Sequence, residues 1–209
     1  MIEPIRVVGF PGSIREPSYT RMAVEIALRG AQEAGAETQL LDLRNYRLSL
    51  LEEEWDKRDS SPNVLKLRRD IQSAHGIILG TPEYHGSFSG IIKYAIDLMG
   101  FDEFEGKLIG LVGVAGGKLG ASESLNSLRS VGRALHAWVV PLQVSIPEAW
   151  RKFSTDGTLK DPQLEERLLD VGKQVTRFAK LHHSPQFEEF VHQWETAPEN
   201  PAGSIHKRG

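Results

Sequence analysis

Nine residues between an apolar run and a helical pattern carry the first chemistry of this chain: Gly12-Ser13-Ile14-Arg15-Glu16-Pro17-Ser18-Tyr19-Thr20. Gly12 permits a tight turn, while Ser13, Ser18 and Thr20 offer hydroxyls. A helix opening near Tyr19 presents backbone N–H groups with no partner inside the helix, and these favour an anion. Arg15 can add a charge-assisted bond. Together they make a cradle suited to a terminal phosphate monoester. The same residues also describe a helix capped by Ser18 after a glycine turn; the position of the loop, directly after a first strand, favours the phosphate.

Two other phosphate motifs fail on spacing. Gly9 and Gly12 do not make the G-x-G-x-x-G of a dinucleotide fold. Gly116-Gly117-Lys118 resembles the end of a P-loop, but Val112 stands where a glycine is required and Leu119 replaces the magnesium-binding hydroxyl.

A second loop, Thr81-Pro82-Glu83-Tyr84-His85-Gly86-Ser87, brings an aromatic, a stiff proline and exposed amides together. It can give a flat ring apolar contact on its face and backbone donors at its edge. His85 beside Gly86 reads as a turn residue that positions, rather than as a proton-transfer group. Glu83 reads as a partner for backbone N–H groups. The third loop, Gly113 to Gly120, holds Gly116 and Gly117, which let backbone approach a flat ligand closely. No side chain is assigned as nucleophile or general base.

Composition narrows the chemistry further. The 209 residues contain no cysteine, which excludes disulfides, thiol nucleophiles and iron–sulfur ligation, so redox work must be borrowed from a cofactor. A net charge of −3 and the lack of a basic stripe argue against nucleic acid as a partner. The apolar stretch after Met1-Ile2-Glu3-Pro4 is too short for a signal core or a membrane span, so a cytoplasmic location with no membrane partner is expected. The adjacent His182-His183 reads as incidental, and no metal is assigned.

The elements that must position these loops are short apolar runs alternating with helical patterns. Ile5 to Phe10, Glu37 to Asp42, Gly76 to Thr81, Lys107 to Ala115 and Trp138 to Ile146 read as strands. Tyr19 to Ala34, Val64 to Ala74, Ser89 to Leu98, Glu123 to Leu135 and Pro162 to His182 read as helices, each with one apolar face. Strands that are apolar on both faces and joined by helices predict an α/β fold, a flavodoxin-like, three-layer, doubly wound, five-stranded parallel sheet of order 2-1-3-4-5. Its ligand crevice lies beyond the carboxyl ends of the strands. One domain is expected over residues 1–183. Residues 184–209 form an extension, partly helical through Phe187, Phe190, Val191 and Trp194, with a frayed tail from Ala197. That helix packs on the domain or strengthens a dimer.

Over roughly residues 5 to 150 the chain resembles the NADPH-dependent FMN reductase family of flavodoxin-like flavin, quinone, azo-dye and chromate reductases. The resemblance rests on Gly12-Ser13-Ile14-Arg15 with Ser18 and Thr20, and on Pro82-Glu83-Tyr84-His85-Gly86 leading to Ser89-Gly90 and Lys93 with Asp97. Gly116-Gly117 followed by Leu128-Arg129 adds to it. It implies that Ser13, Arg15, Ser18, Tyr19 and Thr20 hold the FMN phosphate. Pro82, Glu83, Tyr84, His85 and Gly86 would line the flavin ring, and Gly116 and Gly117 its far edge. Many members carry Asn where this chain has His85. A homodimer or homotetramer is implied as well. The expected reaction passes a hydride from NADPH or NADH through FMN to a small acceptor such as a quinone, free flavin, azo compound or metal oxyanion. A flavodoxin-like electron carrier without a nicotinamide site is the alternative. Arg44 and Arg47 are candidate contacts for the 2′-phosphate of NADPH.

Overall fold

Period-two burial organises the sheet. Val7, Ile78, Val112 and Val144 are buried on one face and Val8, Ile77, Leu79 and Leu111 on the other, as expected when both faces of a parallel sheet are covered. The computed structural model describes residues 4–46, 48 and 61–196. Its strands are β1 (Arg6–Pro11), β2 (Glu37–Leu40), β3 (Gly76–Tyr84), β4 (Ser87–Phe88), β5 (Leu108–Val114) and β6 (Trp138–Ile146). The path runs β2-β1-β3-β5-β6, with β4 pairing β3 off the path. All neighbours on the path are parallel; only β4 is antiparallel. Counting the parallel strands alone, this is the 2-1-3-4-5 order expected from the sequence.

Helices α1 (Tyr19–Glu33), α2 (Pro62–Gln72), α3 (Gly90–Asp97), α4 (Phe101–Phe104), α5 (Ser122–Ala134), α6 (Ala149–Lys152), α7 (Pro162–His182) and α8 (Pro185–Thr196) surround the sheet. On one side Val24 and Ala27 of α1 and Val171 and Val175 of α7 pack on Val7 and Ile78. On the other, Ile71 of α2, Ile92 of α3 and Leu125 and Leu128 of α5 meet Val8, Ile77 and Leu111. The α1–α7 crossing is close enough for backbones to touch. A Cβ at Gly30 would overlap the Leu169 carbonyl, and one at Gly172 the Ala27 carbonyl.

The sheet edge at β6 is blunted. Its register against β5 shifts between Ile109 and Leu111, next to Pro141, and such bulges oppose edge-to-edge pairing. Side chains take over the displaced backbone groups: Arg129 donates to the carbonyls of Val139 and Val140, and the Leu142 N–H donates to Gln174 Oε1 at 2.9 Å.

Two features depart from the sequence expectation. The third strand does not stop at Thr81 but runs to Tyr84 and turns back as β4, so the second loop is a hairpin. Short helices α4 and α6 follow α3 and β6 where only loops were expected. In the extension, α8 sets Phe187 4.7 Å from the His182 ring and leaves Phe190 largely exposed. The side chains of Val191 and Trp194, and residues 197–209, lie outside the described residues. No helix among the described residues is long and apolar enough to cross a membrane.

Candidate functional site

β1 carries the first loop to the carboxyl end of the sheet, where the Gly12 N–H donates to the Gly80 carbonyl at 2.7 Å. Ser13 is buried, and its Oγ accepts the Arg15 N–H at 3.4 Å. Ser18 is the N-cap of α1: its backbone is extended and its Oγ accepts the Arg21 N–H at 3.2 Å. The first-turn amides of Tyr19 and Thr20 have no carbonyl four residues back to bind, and the helix dipole gives them partial positive charge. Thr20 is buried beside them. Tyr19 stacks on Phe153 with ring centroids 5.4 Å apart, which fixes that wall of the site.

The second segment is tied to the first through one serine. Ser89, the N-cap of α3, donates from Oγ to the Gly12 carbonyl at 2.5 Å, and its N–H donates to Thr81 Oγ1 at 3.0 Å. Beyond Thr81 the hairpin pairs Glu83 with Phe88 and Tyr84 with Ser87. His85 (φ 52°) and Gly86 (φ 76°) form the two-residue turn, and positive φ at both positions is the type I′ geometry that suits a twisted hairpin. Histidine and asparagine tolerate that region better than most side chains. Glu83 turns away from the turn and accepts the Ser124 N–H in the first turn of α5 at 3.1 Å, so it anchors the hairpin to a helix N-terminus.

After β5, the third loop is stitched to the segment after β6. The Glu148 N–H donates to the Gly117 carbonyl at 3.1 Å, and the Ala149 N–H to the Ala115 carbonyl at 3.0 Å. Ala121 N–H binds Ser145 Oγ at 2.7 Å.

These segments enclose a cleft of about 460 Å³ beyond the carboxyl ends of β1, β3, β5 and β6, a volume typical of small-molecule sites. It lies at the switch point, where β1 is followed by β2 on one side and β3 on the other. Ser13, Arg15, Ser18, Tyr19, Thr20, Pro82, Glu83, Tyr84 and Gly116 all line it. His85 and Gly86, at the hairpin tip, and Gly117, just past Gly116, are not among its lining. Glu16 and Pro17 of the first loop and Val114 and Ala115 of the third, to which the sequence assigned no role, also line it, as do Ala149 and Trp150, which sequence reasoning missed. For Ala149 and Trp150 a signal existed: they follow the last strand at its carboxyl end, where the fold places its site.

The two halves of the cleft differ in chemistry. The loop after β1 brings hydroxyls, helix amides and Arg15 to the α1 end, and the ends of β3 and β5 bring Pro82, Tyr84, Val114 and Ala115 as an apolar and aromatic shelf, while Trp150 comes from beyond β6. An added Cβ at Gly116 would meet no atom within 4 Å, so the loop is open beside the shelf there. This donor set fits FMN, phosphate at α1 and ring on the shelf. Arg44 is otherwise engaged, since its guanidinium pairs with Asp42 and Glu16; Arg47 lies outside the described residues. Among the described residues no three His, Asp or Glu side chains come together as a metal site.

Residues 5–151 match the family model described as NADPH-dependent FMN reductase. The chain belongs to that family. It is 31% identical over 183 residues to the NADPH-dependent FMN reductase ArsH of Shigella flexneri, covering 85% of this chain and 70% of the relative. The FMN-dependent NADPH-azoreductase of Staphylococcus aureus is 30% identical over 183 residues, covering 83% of this chain and 94% of the relative. Among solved structures, the NAD(P)H:acceptor oxidoreductase FerB of Paracoccus denitrificans superposes with a TM-score of 0.66 at 23% identity, covering 85% of this chain and 98% of that one. At that identity the likeness speaks for the fold, and a flavodoxin from the domain Archaea shares it with a TM-score of 0.57 over 84% of this chain and 98% of that one, at 13% identity.

Proposed function

We propose that this member of the family is an NAD(P)H-dependent oxidoreductase that holds FMN in the cleft and passes electrons to a small-molecule acceptor. The observation that carries the reading is the polarity of the cleft, with a helix N-terminus and hydroxyls at one end and an apolar shelf at the other. Ser13, Ser18 and Thr20, with the amides of Tyr19 and Thr20, receive the phosphate, and Arg15 adds a charge-assisted bond. Pro82, Tyr84 and Gly116 support the ring, Glu83 fixes the hairpin on α5, and His85 and Gly86 shape its tip. Gly117 holds the third loop to Glu148. FMN, when bound, supplies hydride acceptance and onward electron transfer; the chain's residues bind, orient and shield it.

FMN binding in this reading belongs to residues 1–183, with 184–209 as an extension. Ile14, Tyr84 and Leu119 are exposed apolar side chains carried on the site's own loops, and we infer that a second copy covers them in a homodimer or homotetramer.

The test is a visible spectrum of protein reconstituted with FMN, desalted and mixed anaerobically with NADPH or NADH. A retained flavin band that bleaches rapidly is expected. A retained band that persists with both nucleotides would make the protein an electron carrier instead, and no retained band would remove the cleft as the FMN site.

A further inference from the structure

The cationic side chains near the cleft are unequally committed. Arg44 serves two carboxylates, Asp42 and Glu16. Arg21 pairs with Glu25 at 3.2 Å and lies 3.6 Å from Asp42. Arg15 belongs to the phosphate loop. Arg151 meets a single carboxylate, Glu148 at 3.1 Å, and its side chain stays 59% exposed. Its guanidinium carbon lies 4.6 Å from the centre of the Trp150 ring, within cation–π range.

Trp150 lines the cleft yet is 55% exposed, so its indole is available to a ligand entering there. The backbone that carries Trp150 is tied to the third loop. Glu148 adopts the left-handed region (φ 44°) at the turn into α6, and its N–H and that of Ala149 are bound to the third loop. Arg151 N–H closes the turn on the Glu148 carbonyl at 2.8 Å. An exposed indole with a guanidinium over one face, at the mouth of a site, matches a nucleotide that carries a phosphate next to a base, the base taking the face that the guanidinium leaves open. Stacking takes the base, and the guanidinium's remaining N–H donors take the phosphate oxygens.

We propose that Trp150 and Arg151 form the docking site of the nicotinamide dinucleotide, with Trp150 stacking on a base and Arg151 pairing with the 2′-phosphate, so that this pair sets the preference for NADPH over NADH. The inference rests on the reductase reading above.

The test measures binding as well as turnover. FMN-saturated wild type, Trp150→Ala, Trp150→Phe and Arg151→Gln are titrated calorimetrically with NADP⁺ and NAD⁺, and flavin bleaching by NADPH and NADH is followed by stopped flow. Trp150→Ala weakens both nucleotides about ten-fold, the scale of losing one base–aromatic stack, and Trp150→Phe restores most of the loss. Arg151→Gln weakens NADP⁺ about ten-fold and leaves NAD⁺ within two-fold. Wild-type affinities in both Trp150→Ala and Arg151→Gln, or an equal loss of NADP⁺ and NAD⁺ in Arg151→Gln, would overturn the proposal while bleaching of the wild type left the reductase reading intact. A Michaelis constant raised for a quinone alone in Trp150→Ala would also overturn it. If the wild type binds neither nucleotide and is bleached by neither, the reductase reading falls and the inference falls with it.

Discussion

Replacing Ser89 with alanine tests whether the first two loops of the site act as one unit. Ser89 is buried and its Oγ does two things: it caps α3 by accepting the Ile92 N–H at 3.3 Å, and it donates to the Gly12 carbonyl at 2.5 Å. Losing the cap costs about 1 kcal/mol. Leaving the Gly12 carbonyl, in a buried residue, without that donor costs about a further 1–2 kcal/mol. The sum, about 2–3 kcal/mol, lowers the melting temperature of a chain this size by about 5–10 °C. Thermal unfolding is best followed by circular dichroism on FMN-free protein, because bound ligand adds its own stabilisation. FMN titration of the same variant should show weakened binding, since Gly12 opens the phosphate loop and Thr81 leads to the ring shelf. Ser124→Ala is the internal control: its hydroxyl is buried with no hydrogen-bond partner among the described residues. Removing an unsatisfied group there leaves stability equal or higher. A Ser89→Ala variant that melts within about 2 °C of wild type, or a Ser124→Ala variant that melts as low as Ser89→Ala, would refute this hydrogen-bond reasoning.

Arg15→Ala should weaken FMN about ten-fold by removing one charge-assisted phosphate bond, as read by flavin fluorescence titration; unchanged affinity would take Arg15 out of the phosphate site. Gly172→Ala should destabilise by about 3 kcal/mol, because a Cβ there meets the Ala27 backbone rather than a side chain that can move; a denaturation midpoint equal to wild type would mean that α1 and α7 stand further apart. Lys107 gives a pH signature: burial lowers its pKa from 10.5 to about 8, against an opposing pull from Glu103. Its folded form therefore binds fewer protons than the unfolded chain between those two values, so stability should rise with pH across that window. The side chain is partly solvated, and after screening the gain is about 1 kcal/mol. Lys107→Met should lack that gain when urea midpoints at pH 7 and pH 9.5 are compared, and equal gains in both proteins would count against the buried charge.

The architecture was legible because β1, β3, β5 and β6 announce themselves as short apolar runs with turn residues at their ends, and the parallel order follows once helices separate the runs; β2, with Glu37, Thr38 and Gln39, is the polar edge strand of the path. The phosphate loop was legible for the same local reason: Ser18 caps a helix that begins where the sequence pattern begins. The second loop was not. Thr81-Pro82-Glu83-Tyr84 contains a proline and a carboxylate that argue against a strand by propensity. What makes it one is the partner: Tyr84 pairs with Ser87 across a His85-Gly86 turn, and Glu83 is held by the N-terminus of α5, forty-one positions away in sequence. A contact at that separation leaves no periodic trace.

Trp150 is the more instructive omission. It lies past the run that reads as a strand to Ile146, and an isolated exposed tryptophan carries no pattern that distinguishes a ligand plate from a surface residue. Its position acquires meaning only through the topology, which puts the segment after β6 next to the third loop and closes the two together with hydrogen bonds from Glu148 and Ala149. Residues that bind through a whole motif, like Ser13 to Thr20, are visible one loop at a time. Those that complete a site from a different strand end become visible only when the folded segments are seen together: the switch point lies between β1 and β3, β6 is the edge strand of the path, and it is the hydrogen bonding of its following segment to the third loop that brings Trp150 to the cleft.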